Sequence, residues 1–153
     1  MISTGFTPDE PVDNGNEPKT NCLIALSYRD RKLGCAVVRG RDLLVMEELP
    51  ESRPFQLVDL LIMQFMPSAL LLPSRMDEEL MAKFEPDARQ IRPTHEFTVN
   101  AAATKMRQNG IMVSEELSKR YPLSFGCIGP LLCMLCKQAD GILQIDNVEW
   151  FSL

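Results

Sequence analysis

Three short apolar runs follow one another near the start of the chain, and two charged tips separate them. The stretch reads NCLIALSYRDRKLGCAVVRGRDLLVMEE from Asn21 to Glu48. Apolar runs of this length, joined by tips this short, are typical of strands in consecutive antiparallel hairpins. The sequence therefore predicts three strands and two tips, which lie at 22–27, 33–38 and 43–48 and at 28–32 and 39–42.

A helix and a buried strand are predicted after this meander. Ser52 can cap a helix over 54–66, and Pro54 suits its first turn. The helix is too apolar to be solvated, so we expect it to lie across the sheet. Residues 69–72 are all apolar and are bounded by prolines, as in a central strand covered on both faces.

Two more helices and a weak strand complete this part of the chain. They are a helix over 74–84 capped by Ser74 with Asp77 in the capping-box position, a strand over 96–99, and a helix over 101–109 capped by Asn100 and ended by Gly110. Three antiparallel strands followed by helix, strand, helix, strand is the RNase H-like order. The resemblance to this order implies that the first strand is central and that the strand after the first helix pairs parallel to it through a right-handed crossover. The fold class is therefore α/β with a mixed sheet.

Composition divides the chain into three parts. Residues 1–20 are acidic, rich in proline and glycine and poor in apolar side chains, so we expect a disordered tail. Residues 21–110 hold the α/β pattern. Residues 111–153 begin with polar and apolar helical segments and end in ILQIDNVEWFSL, an apolar stretch with little chain left to cover it. We interpret this last part as the truncated beginning of a second, helical domain.

The charge balance limits the kind of partner. Lys and Arg total 16 against 21 Asp and Glu, which gives a net charge of -5 and argues against a broad nucleic-acid footprint. Five cysteines without disulfide-like spacing indicate a reducing compartment, cytosol or nucleus. The longest uncharged stretch, 121–136, contains two prolines and is too short to span a bilayer, so no membrane segment is expected.

The residues that an RNase H-like nuclease needs are missing from the predicted central strands. Such an enzyme holds two metal ions with carboxylates on adjacent strands, whereas CLIALS and ALLL contain none. Asp30 falls in a hairpin tip, where a solvated turn residue is the ordinary interpretation. Cys133 and Cys136 lie inside an apolar helical pattern, typical of buried thiols, and no phosphate-binding glycine loop is present. We expect no enzymatic activity, metal or cofactor in these residues.

The best basic patches are the two tips of the meander. The first tip carries Arg29, Arg31 and Lys32, and the second tip carries Arg39 and Arg41. These five residues are the candidate contacts for DNA or a protein partner, the alternative being ordinary solvated turns. Sequential hairpin tips point to opposite ends of a sheet, so the two tips need not form one surface.

Several short motifs, in order, resemble the MutS family. KLGCA at 32–36 is similar to the opening hairpin of the MutS connector domain, and FMPSALLLP at 65–73 is similar to its helix end, proline and apolar strand. CIGPLLCML at 127–135 resembles the helix that opens the family's long helical core, and the closing ILQIDNVEWFSL resembles the segment leading into it. The matched positions, Leu33, Gly34, Ala36, Pro67 and Leu132, are packing positions.

The resemblance is closest to the meiotic MutS homologues, and most to MutS homologue five. Only a short acidic tail precedes the first strand, and Phe6-Thr-Pro lacks the glutamate of the mismatch-reading wedge. The resemblance implies an RNase H-like connector domain over 21–110 and the start of the helical core over 111–153.

In function, the resemblance implies one subunit of a heterodimeric clamp, formed with a second meiotic MutS homologue. The clamp binds branched DNA recombination intermediates and promotes crossing over in the nucleus. ATP and Mg²⁺ belong to an ATPase domain that these 153 residues do not contain. The connector would relay and dock between domains and partner.

Two other interpretations stay open from the residues alone. One is a free-standing α/β module that binds a small ligand or docks a partner and is unrelated to DNA. It would use polar groups at strand ends, of which Ser27, Ser74 and Asp77 are the candidates. The other is a nuclease that depends on Asp30, which the apolar first strand disfavours.

Overall fold

The computed structural model describes residues 22–138 and 144–153. These residues form a mixed sheet with helices on both faces. The predicted disordered tail at 1–20 lies outside the described residues, as do Ile142 and Leu143 of the apolar ending. No helix in the described ranges is long and apolar enough to cross a membrane.

Six strands of the sheet are hydrogen-bonded in the order β6-β5-β1-β2-β3-β7, and a seventh, the short β4, pairs with β2. The strands are β1 (Cys22–Arg29), β2 (Lys32–Arg39), β3 (Asp42–Met46), β4 (Leu49–Pro50), β5 (Ala69–Pro73), β6 (Arg89–Arg92) and β7 (Asn147–Phe151). The helices are α1 (Gln56–Phe65), α2 (Glu78–Ala82), α3 (Val99–Gln108), α4 (Glu115–Arg120), α5 (Pro122–Gly126) and α6 (Ile128–Gln138).

The predicted RNase H-like order is confirmed. Strand β1 is central, with β2 antiparallel on one side and β5 parallel on the other. The crossover from the meander to β5 passes through α1, because a parallel neighbour cannot be reached by a tight turn. The strands of the first hairpin are longer than predicted, and their turn has only two residues, Asp30 (φ 53°) and Arg31 (φ 62°). Positive φ at both turn positions matches the twist of the strands that they join.

Helix α1 starts two residues later than predicted, and Ser52 does not cap it. Phe55 adopts a left-handed conformation (φ 65°), which leaves Ser52 outside the first turn. The cap is instead the buried carboxylate of Glu51, whose Oε2 accepts hydrogen bonds from the amides of Leu57 (2.8 Å) and Val58 (3.2 Å). The prediction failed because the usual N-cap is the residue next to the first turn. Glu51 lies five residues before the first residue of α1, so the spacing rule for caps does not point to it.

Helix α2 is shorter than predicted, and Asp77 rather than Ser74 is its cap. The Asp77 carboxylate accepts from the amides of Glu79 (2.9 Å) and Leu80 (3.2 Å). Ser74 Oγ lies 3.0 Å from Thr94 Oγ1 and joins the end of β5 to the segment after β6.

The strand predicted at 96–99 is wrong, because this segment forms a short 3₁₀ helix, Thr94–Phe97, and then the start of α3. The strand that follows the second helix is instead β6, which pairs parallel with β5. A bidentate ion pair between Arg92 and Glu96, with both N···O distances at 2.9 Å, joins the end of β6 to the 3₁₀ helix that follows it. Thr98 is the N-cap of α3 in place of Asn100, since its Oγ1 accepts from the Ala101 amide.

Two apolar cores lie on the two faces of the sheet. One holds α3, α5 and α6 against β1, β2 and β3, and its largest fully buried side chains include Met106 and Ile128. The other holds α1 and α2, with Val58, Leu61 and Leu80 buried against the opposite sheet face. The sheet is thus covered on both faces, which explains why its central strands are continuously apolar.

Helix α5 touches the sheet at Gly34, where β2 has no side chain. A Cβ at Gly34 would lie 2.6 Å from the Ser124 amide nitrogen and 2.7 Å from Leu123 Cβ. This approach lets the buried Ser124 Oγ accept a hydrogen bond from the Cys35 amide (3.0 Å). The Glu48 carboxylate accepts from the amides of Leu123 (2.6 Å) and Ser124 (3.3 Å). Gly34 therefore serves close packing, as expected for the KLGCA motif.

The described residues after Gly110, 111–138 and 144–153, pack on the same sheet and do not start a separate domain, contrary to the expected boundary. Gly110 does end α3 in a left-handed conformation (φ 71°), as predicted. Beyond it, α5 and α6 cover one sheet face, and β7 extends the sheet beside β3. The apolar ending that suggested an unfinished domain supplies this strand, because Trp150 packs on one face and Phe151 on the other.

Candidate functional site

The two basic tips lie at opposite ends of the sheet, as the sequence indicated. Arg29 pairs with Lys32 at one end of the first hairpin, and Cys22 pairs with Arg39 at the other. The seven residue steps of β2 separate the tips by about 24 Å. The five candidate residues therefore form two small sites.

The first tip faces a cleft beneath the hairpin. Arg29 and Lys32 line a cavity of about 390 Å³ together with residues 97–99 at the start of α3 and with Pro122 and Leu123 at the start of α5. Asp30 and Glu48 also line it, so the local charge is mixed. Arg31 is not among the residues that line this cavity, and its carbonyl accepts a hydrogen bond from the Glu51 amide (2.9 Å). This arrangement can receive a phosphate or a carboxylate at its rim.

The second tip is engaged within the chain. Arg41 forms an ion pair with Asp146 (3.5 Å), which lies just before β7. The guanidinium carbon of Arg39 lies 5.7 Å from the ring centre of Phe65 at the end of α1, in cation–π geometry. The cations of the second tip thus already have partners within the chain, and the first tip is the better candidate for an outside contact.

The central strands carry packing residues where a nuclease would carry carboxylates. Ile24 and Leu26 of β1 and Leu70 and Leu72 of β5 are buried in the core beneath α1. Asp30 is exposed in the first turn and lines the cleft beneath the hairpin. In residues 22–138 and 144–153, no three His, Cys, Asp or Glu side chains come together as a metal site would require.

A second cavity, of about 430 Å³, lies between α3 and α6. Its lining includes the polar side chains of His95, Asn100, Thr104, Lys105 and Cys133. Arg92, which holds Glu96, also lies 3.4 Å from the Cys133 sulfur through its Nη2. The hydrogen bonds that Arg92 donates to the Glu96 carboxylate raise the pKa of the Arg92 guanidinium, so this cation stays charged. The sequence did not point to this cavity, because its lining comes from two helices and the 3₁₀ turn.

The cysteines divide into two classes. Cys22, Cys35 and Cys127 are buried, whereas Cys133 and Cys136 are half-buried. Burial raises the pKa of each of the three buried thiols. A thiol with a raised pKa stays protonated at neutral pH and is a poor nucleophile.

Thiol labelling of the native protein tests this division. We expect iodoacetamide to alkylate Cys133 and Cys136 first and the three buried cysteines at least about tenfold more slowly, since thiolate fraction falls tenfold per pKa unit. Peptide mass spectrometry over a time course gives the rate at each site. In denaturant all five rates should converge, and rapid native labelling of Cys35 or Cys127 would contradict the packing of the two cores.

The polar side chains that anchor the starts of α1 and α5 were not found from the sequence. Glu48 and Glu51 hold the starts of α5 and α1, and Ser124 binds the β2 backbone. The only signal was the acidic run MEELPE between the meander and the first helix. No sequence signal pointed to Ser124, because its partner amide, that of Cys35, lies 89 residues away in the chain.

The strand order and the apolar central strands define an α/β domain of the connector type. A family model described as the MutS5 N-terminal domain matches residues 18–98, from just before β1 to the cap of α3. The chain belongs to this family and is the N-terminal region of a MutS homologue. A search of curated proteins found no match.

Proposed function

We propose that this chain is the non-catalytic N-terminal part of a meiotic MutS homologue, in which it docks and relays between domains and partner. The match to the MutS5 N-terminal domain over residues 18–98 carries the proposal. In this role the chain joins a second meiotic MutS homologue in a heterodimeric clamp. The clamp embraces branched DNA recombination intermediates and promotes crossing over in the nucleus.

The geometry supports a docking role over catalysis. The positions at which an RNase H-like enzyme holds metal ions are buried aliphatic side chains of β1 and β5. ATP and Mg²⁺ would bind in the ATPase domain of the full-length family members, outside these residues. The surface that we assign to partner contact is the first tip together with the cleft that it lines.

Co-expression with a second meiotic MutS homologue tests the proposal. We expect the two chains to purify as one complex, and the complex to bind a four-way DNA junction about tenfold more tightly than linear duplex. Fluorescence anisotropy with labelled junction and duplex gives both affinities. Failure to form a complex, or equal affinity for the two DNAs, would count against the clamp role.

The contribution of the first tip is tested by its salt dependence. In the complex, Arg29→Glu should flatten the plot of log affinity against log salt by about 1 for each DNA phosphate that the tip no longer neutralises. Arg107→Glu is the matched control, since it reverses one exposed cation in the last turn of α3. Equal slopes for wild type and both variants would assign the first tip to ordinary solvent.

The cavity between α3 and α6 favours a second candidate function, a module that binds a small ligand. Its volume of about 430 Å³ is in the range of small-molecule sites, and several polar groups converge on it. A thermal-shift screen of metabolites would reveal a specific ligand as a rise in melting temperature. Such a rise, abolished in Thr104→Leu and kept in Arg29→Glu, would establish this alternative.

A further inference from the structure

The edge strand β7 is open on one side. It pairs parallel with β3 in an unbroken register from Asn147 opposite Asp42 to Phe151 opposite Met46. Among the described residues no strand pairs with its other edge. The strand contains no proline, lysine or bulge, and Glu149 is the one charged residue in NVEWF that could protect the edge.

The hydrogen bonds to β3 determine which β7 residues face outward. The Phe151 carbonyl accepts from the Glu47 amide (3.0 Å), so the backbone of Phe151 points toward β3. The N–H and C=O of one residue share a side, and successive residues alternate. Val148 and Trp150 therefore present their N–H and C=O groups to the open edge.

The surface beside this edge is apolar. The side chain of Val148 is 43% exposed, and that of nearby Met112 is 89% exposed. Both line a small hollow with Trp150. An edge with unpaired backbone groups and apolar neighbours accepts an extended strand, because only a strand matches the spacing of those groups.

We propose that the occupant is a second copy of this chain, joined β7 to β7 about a two-fold axis. Antiparallel pairing centred on Glu149 places Val148 of each copy opposite Trp150 of the other. All outward groups of both strands are then used, and two aromatic–aliphatic pairs form on the same face. A strand that complements itself in this way forms an isologous, closed contact. The dimer does not depend on the proposed function.

The charge of Glu149 opposes this pairing. Glu149 is exposed and would face Glu149 of the partner copy, and like charges directly opposite each other are unfavourable. The interface is also small. We therefore expect a weak dimer, with a dissociation constant of about 100 µM. Glu149→Gln should tighten the dimer about threefold by removing the repulsion.

Analytical ultracentrifugation of the whole 153-residue chain tests the dimer. Wild type should show a concentration-dependent monomer–dimer equilibrium. Val148→Pro should weaken it about tenfold or more, because proline removes an outward N–H while leaving the ladder to β3 intact. Val148→Ala, which keeps that N–H, is the matched control. A monomer up to about 1 mM, or a dimer unaffected by Val148→Pro, would overturn the proposal.

Disulfide trapping tests the register without depending on the proline variant. The residues at 149 would face each other in a pair whose Cα atoms are about 4.5 Å apart, within disulfide range. Residues at 147 would be about 13 Å apart. Mild oxidation should crosslink Glu149→Cys through the introduced thiol and leave Asn147→Cys uncrosslinked at that position, as read by peptide mass spectrometry. Equal crosslinking, or none in either variant, would refute this pairing.

Discussion

Gly34→Ala is expected to lower the free energy of unfolding by about 4 kcal/mol. The added Cβ would meet the backbone of α5 at Leu123 and Ser124, which is less able to yield than a flexible side chain. Overpacking of this kind costs about 1 to 3 kcal/mol. A shift of α5 to relieve it would break the buried bond from the Cys35 amide to Ser124 Oγ and add a similar amount.

Urea unfolding, followed by circular dichroism and by the fluorescence of Trp150, measures this destabilisation. Trp150 is the only tryptophan, and its ring packs 5.0 Å from that of Tyr121 just before α5. Gly110→Ala is the control, because it strains a left-handed residue with no atom near the added Cβ and should cost about 1 kcal/mol. Similar destabilisation in the two variants would contradict close contact between α5 and β2.

Glu51→Ala is expected to cost about 3 kcal/mol. The Glu51 carboxylate is buried and accepts from three amides, those of Ser52, Leu57 and Val58. Its removal takes the cap from α1 and leaves buried donors without acceptors, each effect being worth about 1 to 2 kcal/mol. Glu51→Gln keeps one acceptor oxygen and should lose about half as much.

The half-buried cap of α2, Asp77, provides the comparison. Asp77→Ala removes two similar hydrogen bonds, but water can replace them, so we expect a destabilisation of about 1 kcal/mol. The three variants and wild type are compared by thermal and urea unfolding under one set of conditions. If Glu51→Ala cost no more than Asp77→Ala, the burial of the Glu51 carboxylate would be without energetic consequence.

The strands were predicted well because their apolar runs are long and bounded by turn residues. The meander and the proline-bounded β5 appear where the sequence places them, and the central position of β1 follows from the order of elements. Helix starts were predicted poorly. Ser52, Ser74 and Asn100 are all suitable caps by residue type, yet Glu51, Asp77 and Thr98 cap the three helices.

The candidate site was predicted in part. The separation of the first and second tips followed from the antiparallel pattern alone, and the pairing of Arg29 with Lys32 and of Cys22 with Arg39 confirms it. The engagement of Arg41 by Asp146 could not be foreseen, because it requires residues 105 positions apart to meet. The role of either tip in binding DNA or a partner stays a prediction.

The amino-acid sequence by itself determined the class of fold, since short apolar runs joined by short charged tips leave few arrangements other than a meander in a covered sheet. It also determined that the central strands hold packing residues. Only the tertiary structure decided that β7, near the end of the chain, joins this sheet. Strand β7 is held by backbone bonds to β3 and by Trp150 and Phe151, which pack on opposite faces of the sheet. The pairing with β3 joins residues 105 positions apart, which no local sequence pattern records.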